Sequence, residues 1–163
     1  SSRLFQEIRE KRGLCYSVYA FHWGFSDTGI FGVHAATGES DVEELVPLIV
    51  HELQRAGESI LPEELNRARA QYRAGLVMSA ESAASRASQI ARQILLFGRP
   101  IPKEELVTRL SALTVDRLTD LSSRLFSAKP TLTAIGPVGK LATYEAIRDA
   151  LPQQNGAARK LAV

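Results

Sequence analysis

Three things are scarce in this sequence of 163 residues: cysteine, net charge and long apolar runs. Because Cys15 is the only cysteine, an internal disulfide and a cluster of thiolate metal ligands are both excluded. The formal charge is +2, and Arg159 and Lys160 near the C-terminus account for it. The rest of the chain is therefore neutral and lacks the basic surface of a nucleic-acid or anionic-membrane binder. No apolar run approaches the roughly 18 residues of a membrane-spanning helix, so the sequence predicts a soluble protein.

The composition is that of an ordinary globular domain, with 45% hydrophobic and 23% charged residues, and the length is sufficient to bury a core. We predict one domain over residues 1–152 and a flexible tail of small and polar residues over 153–163. The only methionine is Met78, and the first residues of the chain are typical of the interior of a helix. We therefore expect a fragment or a processed product.

The first third of the chain predicts a short helix followed by a β-hairpin. Ser1 or Ser2 can cap the helix, and Gly13 suits the left-handed residue that ends it near Arg12. Two segments rich in aromatic and β-favouring residues follow, separated by a turn rich in Gly, Ser and Asp. The predicted strands are residues 15–23 and 30–36.

Helical patterns dominate the rest of the chain. Apolar residues at helical spacing extend from a capping box at Ser40–Glu43 to Gly57. Pro62 begins a long stretch that reaches Gly98, which we interpret as two helices separated around residues 78–82, although a single bent helix stays open. The later predictions are a helix over 103–110, a helix from Thr114 to Phe126, a strand over 130–136 and a helix over 141–151. In the helix that starts at Thr114, the residues predicted to be buried are Val115, Leu118, Leu121 and Leu125. This order predicts an α+β fold with helices packed on one face of a mostly antiparallel sheet.

The histidines do not form a recognisable metal motif. His51-Glu52 resembles the start of a His-Glu-x-x-His helix, but Arg55 occupies the position of the second ligand. If Trp23 pairs with Ile30 across the hairpin, His22 and His34 lie on opposite faces and cannot bind one ion. We therefore predict no metal ligands in this chain.

The single cysteine and His51 have plain structural explanations. Cys15 has no neighbouring histidine, so we interpret it as a small core residue rather than a nucleophile. His51 is interpreted as a helix residue on the solvent side or partly buried.

Arg9 and Tyr16 lie at the predicted junction between the first helix and the first strand. A guanidinium in the last turn of a helix and a phenol at the start of the next strand can both point over this junction. There they would offer hydrogen-bond donors to a peptide carbonyl. The residues alone leave structural alternatives open, in which Arg9 only neutralises the helix C-terminus and Tyr16 only packs.

Two segments carry a family resemblance: SSRLFQEIREKRGLCYSVY at residues 1–19 and SQIARQILLFGRPIP at residues 88–102. Both resemble the pitrilysin, or insulinase-like, family of zinc peptidases, in the branch of the mitochondrial processing peptidase and its bacterial relatives. The predicted order of helices and strands is similar over nearly the whole chain, with the tail outside it.

The resemblance is to the C-terminal, inactive half of these peptidases. In that family two halves of similar fold face each other across a closed chamber, and an inverted His-x-x-Glu-His zinc motif lies in the N-terminal half. This sequence has no such motif. The resemblance implies a zinc metalloendopeptidase whose zinc is held by a partner N-terminal half or subunit, and a chain that is not catalytic alone.

The resemblance also assigns roles to Arg9 and Tyr16, which match the family's spacing of seven residues. It implies that Arg9 binds a backbone carbonyl of a peptide substrate. Tyr16, the catalytic residue of this half, would bind substrate too and help to stabilise the oxyanion formed when zinc-bound water attacks.

Other expectations follow from the same resemblance. The family's strands before Ser1 are absent, so an exposed sheet edge could pair with a second copy in a homodimer. The bacterial cytoplasm or periplasm is the expected location. The alternative function is that of a non-catalytic structural or assembly subunit, resembling the core proteins of the respiratory bc1 complex.

Overall fold

A computed structural model describes residues 2–151 as an α+β fold. The tail predicted at residues 153–163 lies outside the described residues. A π-helix, Phe5–Glu10, is followed by strands β1 (Ser17–Gly24) and β2 (Gly29–Ala36). Six α-helices complete the described range: α1 (Val42–Glu58), α2 (Pro62–Ala80), α3 (Ala83–Phe97), α4 (Lys103–Ser111), α5 (Val115–Phe126) and α6 (Tyr144–Ala150). The predicted fold class is confirmed.

The chain divides into two compact units. Within the described range, the first comprises residues up to Phe21, Phe31–Ser59 and the residues from Thr119 onward. The second comprises His22–Ile30 and Ile60–Leu118.

The first unit has its core around the π-helix, the start of β1 and α1. Ile8 is fully buried, and Leu45 of α1 is also in this cluster. Burial of the apolar side chains of this first cluster is the main force that holds the π-helix against α1. A second cluster joins α1 to α6 through Val50, Ile147 and Leu151.

The predicted N-terminal helix and its end are confirmed. The hydroxyl of Ser2 accepts a hydrogen bond from the backbone N–H of Phe5 at 3.3 Å, which satisfies one of the free donors of a helix start. Gly13 has φ 66°, in the left-handed region that favours glycine. It reverses the chain between the helix and β1, with its N–H donating to the Arg9 carbonyl.

The hairpin has the predicted register. The Tyr19 and His34 rings stack with centroids 5.0 Å apart, as expected if they are directly opposite. In this register Phe21 is opposite Gly32, and a Cβ at Gly32 would overlap the Phe21 ring. Glycine is therefore required there for the ring to lie across the neighbouring strand.

The second unit consists mainly of α2, α3 and α4, and its helix boundaries follow the predicted signals. Pro62 is the first residue of α2, and the predicted break falls between Ala80 and Ala83. Ser82 caps α3 by accepting from the Ser85 N–H, and Gly98 ends it with φ 71°. Two helices, rather than one bent helix, therefore occupy this stretch.

Three of the predicted local features are wrong. The capping box at Ser40–Glu43 does not form, because Asp41 is the residue before α1 and the Ser40 hydroxyl donates to its carboxylate instead. The predicted strand over 130–136 is not a strand, since no described segment pairs with it, and Ile135 is 97% exposed. In α5, Leu121 and Leu125 are exposed, contrary to the prediction, whereas Phe126 is buried. Helical periodicity shows which side chains share an apolar face, but it does not show whether another part of the protein covers that face.

The last helix is shorter than predicted. It begins after Thr143, whose hydroxyl accepts from the Ala146 N–H, while Leu141 precedes the helix and packs against the second cluster. None of the helices within residues 2–151 has the length and apolarity needed to cross a bilayer.

Candidate functional site

The candidate site is the turn that joins the π-helix to β1, and it belongs wholly to the first unit. In this helix the Lys11 N–H donates to the Gln6 carbonyl, five residues back. A π-turn of this kind is rare and frequently marks a functional site. After Gly13 the chain enters the hairpin, where the Tyr16 N–H donates to the Ala36 carbonyl at 2.9 Å. Both ends of the turn are thus held by backbone hydrogen bonds.

Arg9 and Tyr16 come together across this turn. The guanidinium carbon of Arg9 lies 5.8 Å from the centre of the Tyr16 ring and 4.8 Å from that of Phe5. Both distances are within the range of a cation–π contact. The sequence therefore correctly predicted that a helix guanidinium and a strand phenol share one junction.

Tyr16 projects into solvent. Its residue is 84% exposed, although Cys15 before it and Val18 after it are buried. Its hydroxyl makes no hydrogen bond within residues 2–151. A phenol in this position is free to donate to a bound molecule.

The basic residues around Arg9 are engaged differently. Lys11 is 2.6 Å and Arg12 4.0 Å from the Glu7 carboxylate. The hydrogen bond from Lys11 is the main reason that the pKa of Glu7 is lowered. The guanidinium of Arg9 has no ion pair with any described residue, so its N–H donors remain available to a peptide carbonyl.

Cys15 is a buried member of the core and not an exposed nucleophile. Burial raises the pKa of its thiol, and the positive charge of Arg9 opposes that shift only in part. The neutral thiol is a weak nucleophile, so Cys15 contributes packing.

A shallow cleft of about 240 Å³ lies beside the turn. Residues 13–16 and 36–38 line it together with Asp41. The Thr37 hydroxyl donates to the Leu14 carbonyl and thereby joins the two walls of the cleft. A cleft of this size next to Tyr16 provides room for a side chain of a bound peptide.

The described residues of this chain do not fit a zinc site. No group of three or more His, Cys, Asp or Glu in the described part of the chain is placed to hold a metal ion. The hairpin register puts His22 and His34 on opposite faces. His51 is exposed and lies beside Glu52, whose buried carboxylate is engaged by Arg3 and Arg55.

Sequence reasoning missed the part that Phe5 plays. The ring is only half buried and lies beside the Arg9 guanidinium. The available signal was the spacing of four residues between an aromatic ring and an arginine on one helix.

The fold and the turn agree with a known class of protein. Residues 1–72 match the family model described as the peptidase M16 inactive domain. The first 72 residues therefore match the inactive domain of the peptidase M16 family, and the family resemblance of the sequence is confirmed.

Relatives of this chain include bacterial zinc proteases and processing peptidase subunits. An uncharacterized zinc protease of Rickettsia felis is 35% identical over 84% of this chain and 33% of that protein. The uncharacterized zinc protease YmxG of Bacillus subtilis is 33% identical over 86% of this chain and 35% of that protein. The alpha subunit of the human mitochondrial-processing peptidase is 30% identical over 95% of this chain and 30% of that subunit. The chain thus spans about a third of the length of these relatives.

A solved structure shows the same fold. It is a chain of complex III2 from Candida albicans with Inz-5 bound, which matches 92% of this chain and 36% of its own length with a TM-score of 0.83. The sequence identity is 24%, so the likeness concerns the fold alone.

Proposed function

We propose that this chain is the substrate-binding C-terminal half of a zinc metalloendopeptidase. The observation that carries the proposal is the exposed Tyr16 phenol beside the Arg9 guanidinium, whose carbon lies 5.8 Å from the centre of the Tyr16 ring. Both groups are hydrogen-bond donors that point away from the core. The zinc proteases and processing peptidase subunits among the relatives support a proteolytic role and a bacterial origin.

In this proposal the two donors act on different atoms of a peptide substrate. The Arg9 guanidinium donates to a backbone carbonyl and so holds the peptide in register. The Tyr16 hydroxyl donates to the oxygen of the scissile carbonyl, and this hydrogen bond strengthens as negative charge develops there. The metal and the nucleophile come from an N-terminal half or subunit, because the residues described here do not form a zinc site.

The test is reconstitution. The isolated chain should contain no stoichiometric zinc by elemental analysis and cleave no quenched-fluorescent peptide. The same chain together with its N-terminal, zinc-bearing half should cleave it. Tight zinc binding by the isolated chain, or an assembly without activity, would contradict the proposal.

A non-catalytic subunit is the second candidate, favoured by the fold match to a chain of complex III2. Such a subunit keeps the fold without catalysis. The residues encoded upstream of Ser1 discriminate between the two: a zinc motif on the same chain supports the peptidase. Its absence leaves a two-subunit enzyme or a scaffold, which the reconstitution assay separates.

A further inference from the structure

Arg9 differs from the other basic residues of the N-terminal segment in what it contacts. The others each lie within 4.0 Å of a carboxylate: Arg3 of Glu52, Lys11 of Glu7 and Arg12 of Glu7 and Glu44. Arg9 contacts aromatic rings instead, and the nearer of them is Phe5.

Phe5 is well placed to restrain the Arg9 side chain. It lies four residues earlier on the same helix, and its ring is half buried, whereas Tyr16 is 84% exposed. The centre of the Phe5 ring is 4.8 Å from the guanidinium carbon, one ångström closer than that of Tyr16. The less exposed of the two rings is therefore also the ring in closer contact.

An aromatic ring restrains a guanidinium without using its hydrogen bonds. A carboxylate would accept one or two N–H bonds from Arg9 and so compete with a substrate carbonyl. The face of a ring attracts the positive charge and leaves the N–H groups available. Without the ring, a flexible arginine loses more rotamer entropy when it binds a substrate.

We propose that Phe5 is a positioning residue, which holds the Arg9 guanidinium ready for a substrate backbone carbonyl. This inference rests on the proposed substrate-binding role of Arg9. Phe5 itself touches no substrate, and its effect reaches the peptide only through Arg9.

A spectroscopic test examines the contact directly in the full-length protein. Isotope-labelled arginine gives an Nε–Hε resonance for Arg9, identified by its loss in Arg9→Lys. The ring current of Phe5 should shift this resonance in the wild type and in Phe5→Tyr, and the shift should shrink in Phe5→Leu. An unchanged resonance in Phe5→Leu would overturn the proposal, whether or not the protein is a peptidase.

A kinetic test examines the consequence for substrate binding. With a single quenched-fluorescent peptide and the full-length protein in its active assembly, Phe5→Leu should raise KM roughly two- to five-fold. The value of kcat should stay within about two-fold, because the carbonyl contact is made equally in the ground and transition states. Phe5→Tyr, which keeps the ring, should behave as the wild type.

Two comparisons separate positioning from general damage. Phe25→Leu, at an exposed phenylalanine of the hairpin turn, should leave KM unchanged. In an Arg9→Ala background Phe5→Leu should have no further effect on KM. An additive effect of the two substitutions would overturn the positioning role.

The two proposals fail in different ways. A wild-type assembly that cleaves no peptide contradicts the proposed function, and the Arg9 resonance then decides whether Phe5 holds Arg9. An active assembly whose KM is unaffected by Phe5→Leu overturns the role of Phe5 and leaves the proposed function standing.

Discussion

At the scale of single residues, one short turn holds a buried packing residue and an exposed polar residue side by side. Cys15 is buried and its thiol pKa is raised by that burial, whereas Tyr16 next to it is exposed. Both residues lie in the turn before β1, where the chain leaves the core after Cys15 and returns to it at Val18. An exposed hydrogen-bond donor therefore adjoins a residue that anchors the turn in the core.

Removal of the Tyr16 hydroxyl tests its role in the complete enzyme. Tyr16→Phe should lower kcat by roughly 10²–10³, the usual cost of losing one oxyanion donor. The substitution keeps the ring beside Arg9, so steady-state kinetics report the hydroxyl alone. Tyr19→Phe, at a half-exposed tyrosine of β1, is the control and should leave kcat unchanged. An unchanged kcat in Tyr16→Phe would leave only a packing role for this ring.

At the scale of elements, one carboxylate of α4 pairs with an arginine of the α3–α4 link and with an arginine of α4 itself. Glu105 in the first turn of α4 accepts hydrogen bonds from both terminal nitrogens of Arg99, at 2.9 and 2.7 Å, and one from Arg109 at 2.6 Å. The hydrogen bonds from Arg99 are the main reason that the pKa of Glu105 is lowered to about 2. The pair is exposed to solvent and so screened by salt.

The lowered pKa of Glu105 has a consequence for stability. A depressed pKa in the folded state means that the carboxylate stabilises the fold fully above its ordinary pKa of about 4.5, and that this contribution declines as the pH falls toward 2. The urea midpoint of Glu105→Gln should therefore lie below that of the wild type near neutral pH. The two midpoints should converge as the solution is acidified through this range.

Glu104→Gln provides the matched control. Glu104 is its neighbour on α4 and makes no ion pair with the described residues. Its substitution should leave the wild-type pH dependence in place. Parallel curves for Glu105→Gln and the wild type across this pH range would contradict the role assigned to the Arg99 pair.

At the scale of the whole described chain, burial is concentrated in a few clusters of the first unit. Ile8 is fully buried between the turn and α1, while many other apolar side chains of the described residues are exposed, Ile135 among them. The stability of the candidate site is therefore tied to the core that lies directly beneath it.

Two isoleucines make a matched test of this distribution. Ile8→Ala should lower the free energy of unfolding by about 2–5 kcal/mol, because it leaves a cavity in a packed core. Ile135→Ala should change it by less than about 0.5 kcal/mol, since the side chain is already in solvent. Urea denaturation followed by circular dichroism measures both, and similar losses for the two variants would contradict the burial described here.

The sequence by itself determined the features that depend on a few adjacent residues. Helix ends at Ser82, Gly98 and Thr114 were predictable because a cap or a left-handed glycine is local chemistry. The hairpin pairing of Trp23 with Ile30, considered from the sequence as a condition, agrees with the stacked Tyr19 and His34 rings. The family was also readable, since it is carried by a contiguous segment around Arg9 and Tyr16.

Only the tertiary structure decided what depends on a neighbour distant in sequence. The β-like pattern of residues 130–136 forms no strand among the described residues, because a strand needs a second strand to satisfy its backbone groups. The apolar face of α5 is likewise left partly exposed at Leu121 and Leu125. The Arg9 guanidinium also lies beside the Tyr16 ring, because the turn at Gly13 brings the residue before β1 back to the helix, a proximity that the spacing of the two residues allows but does not fix.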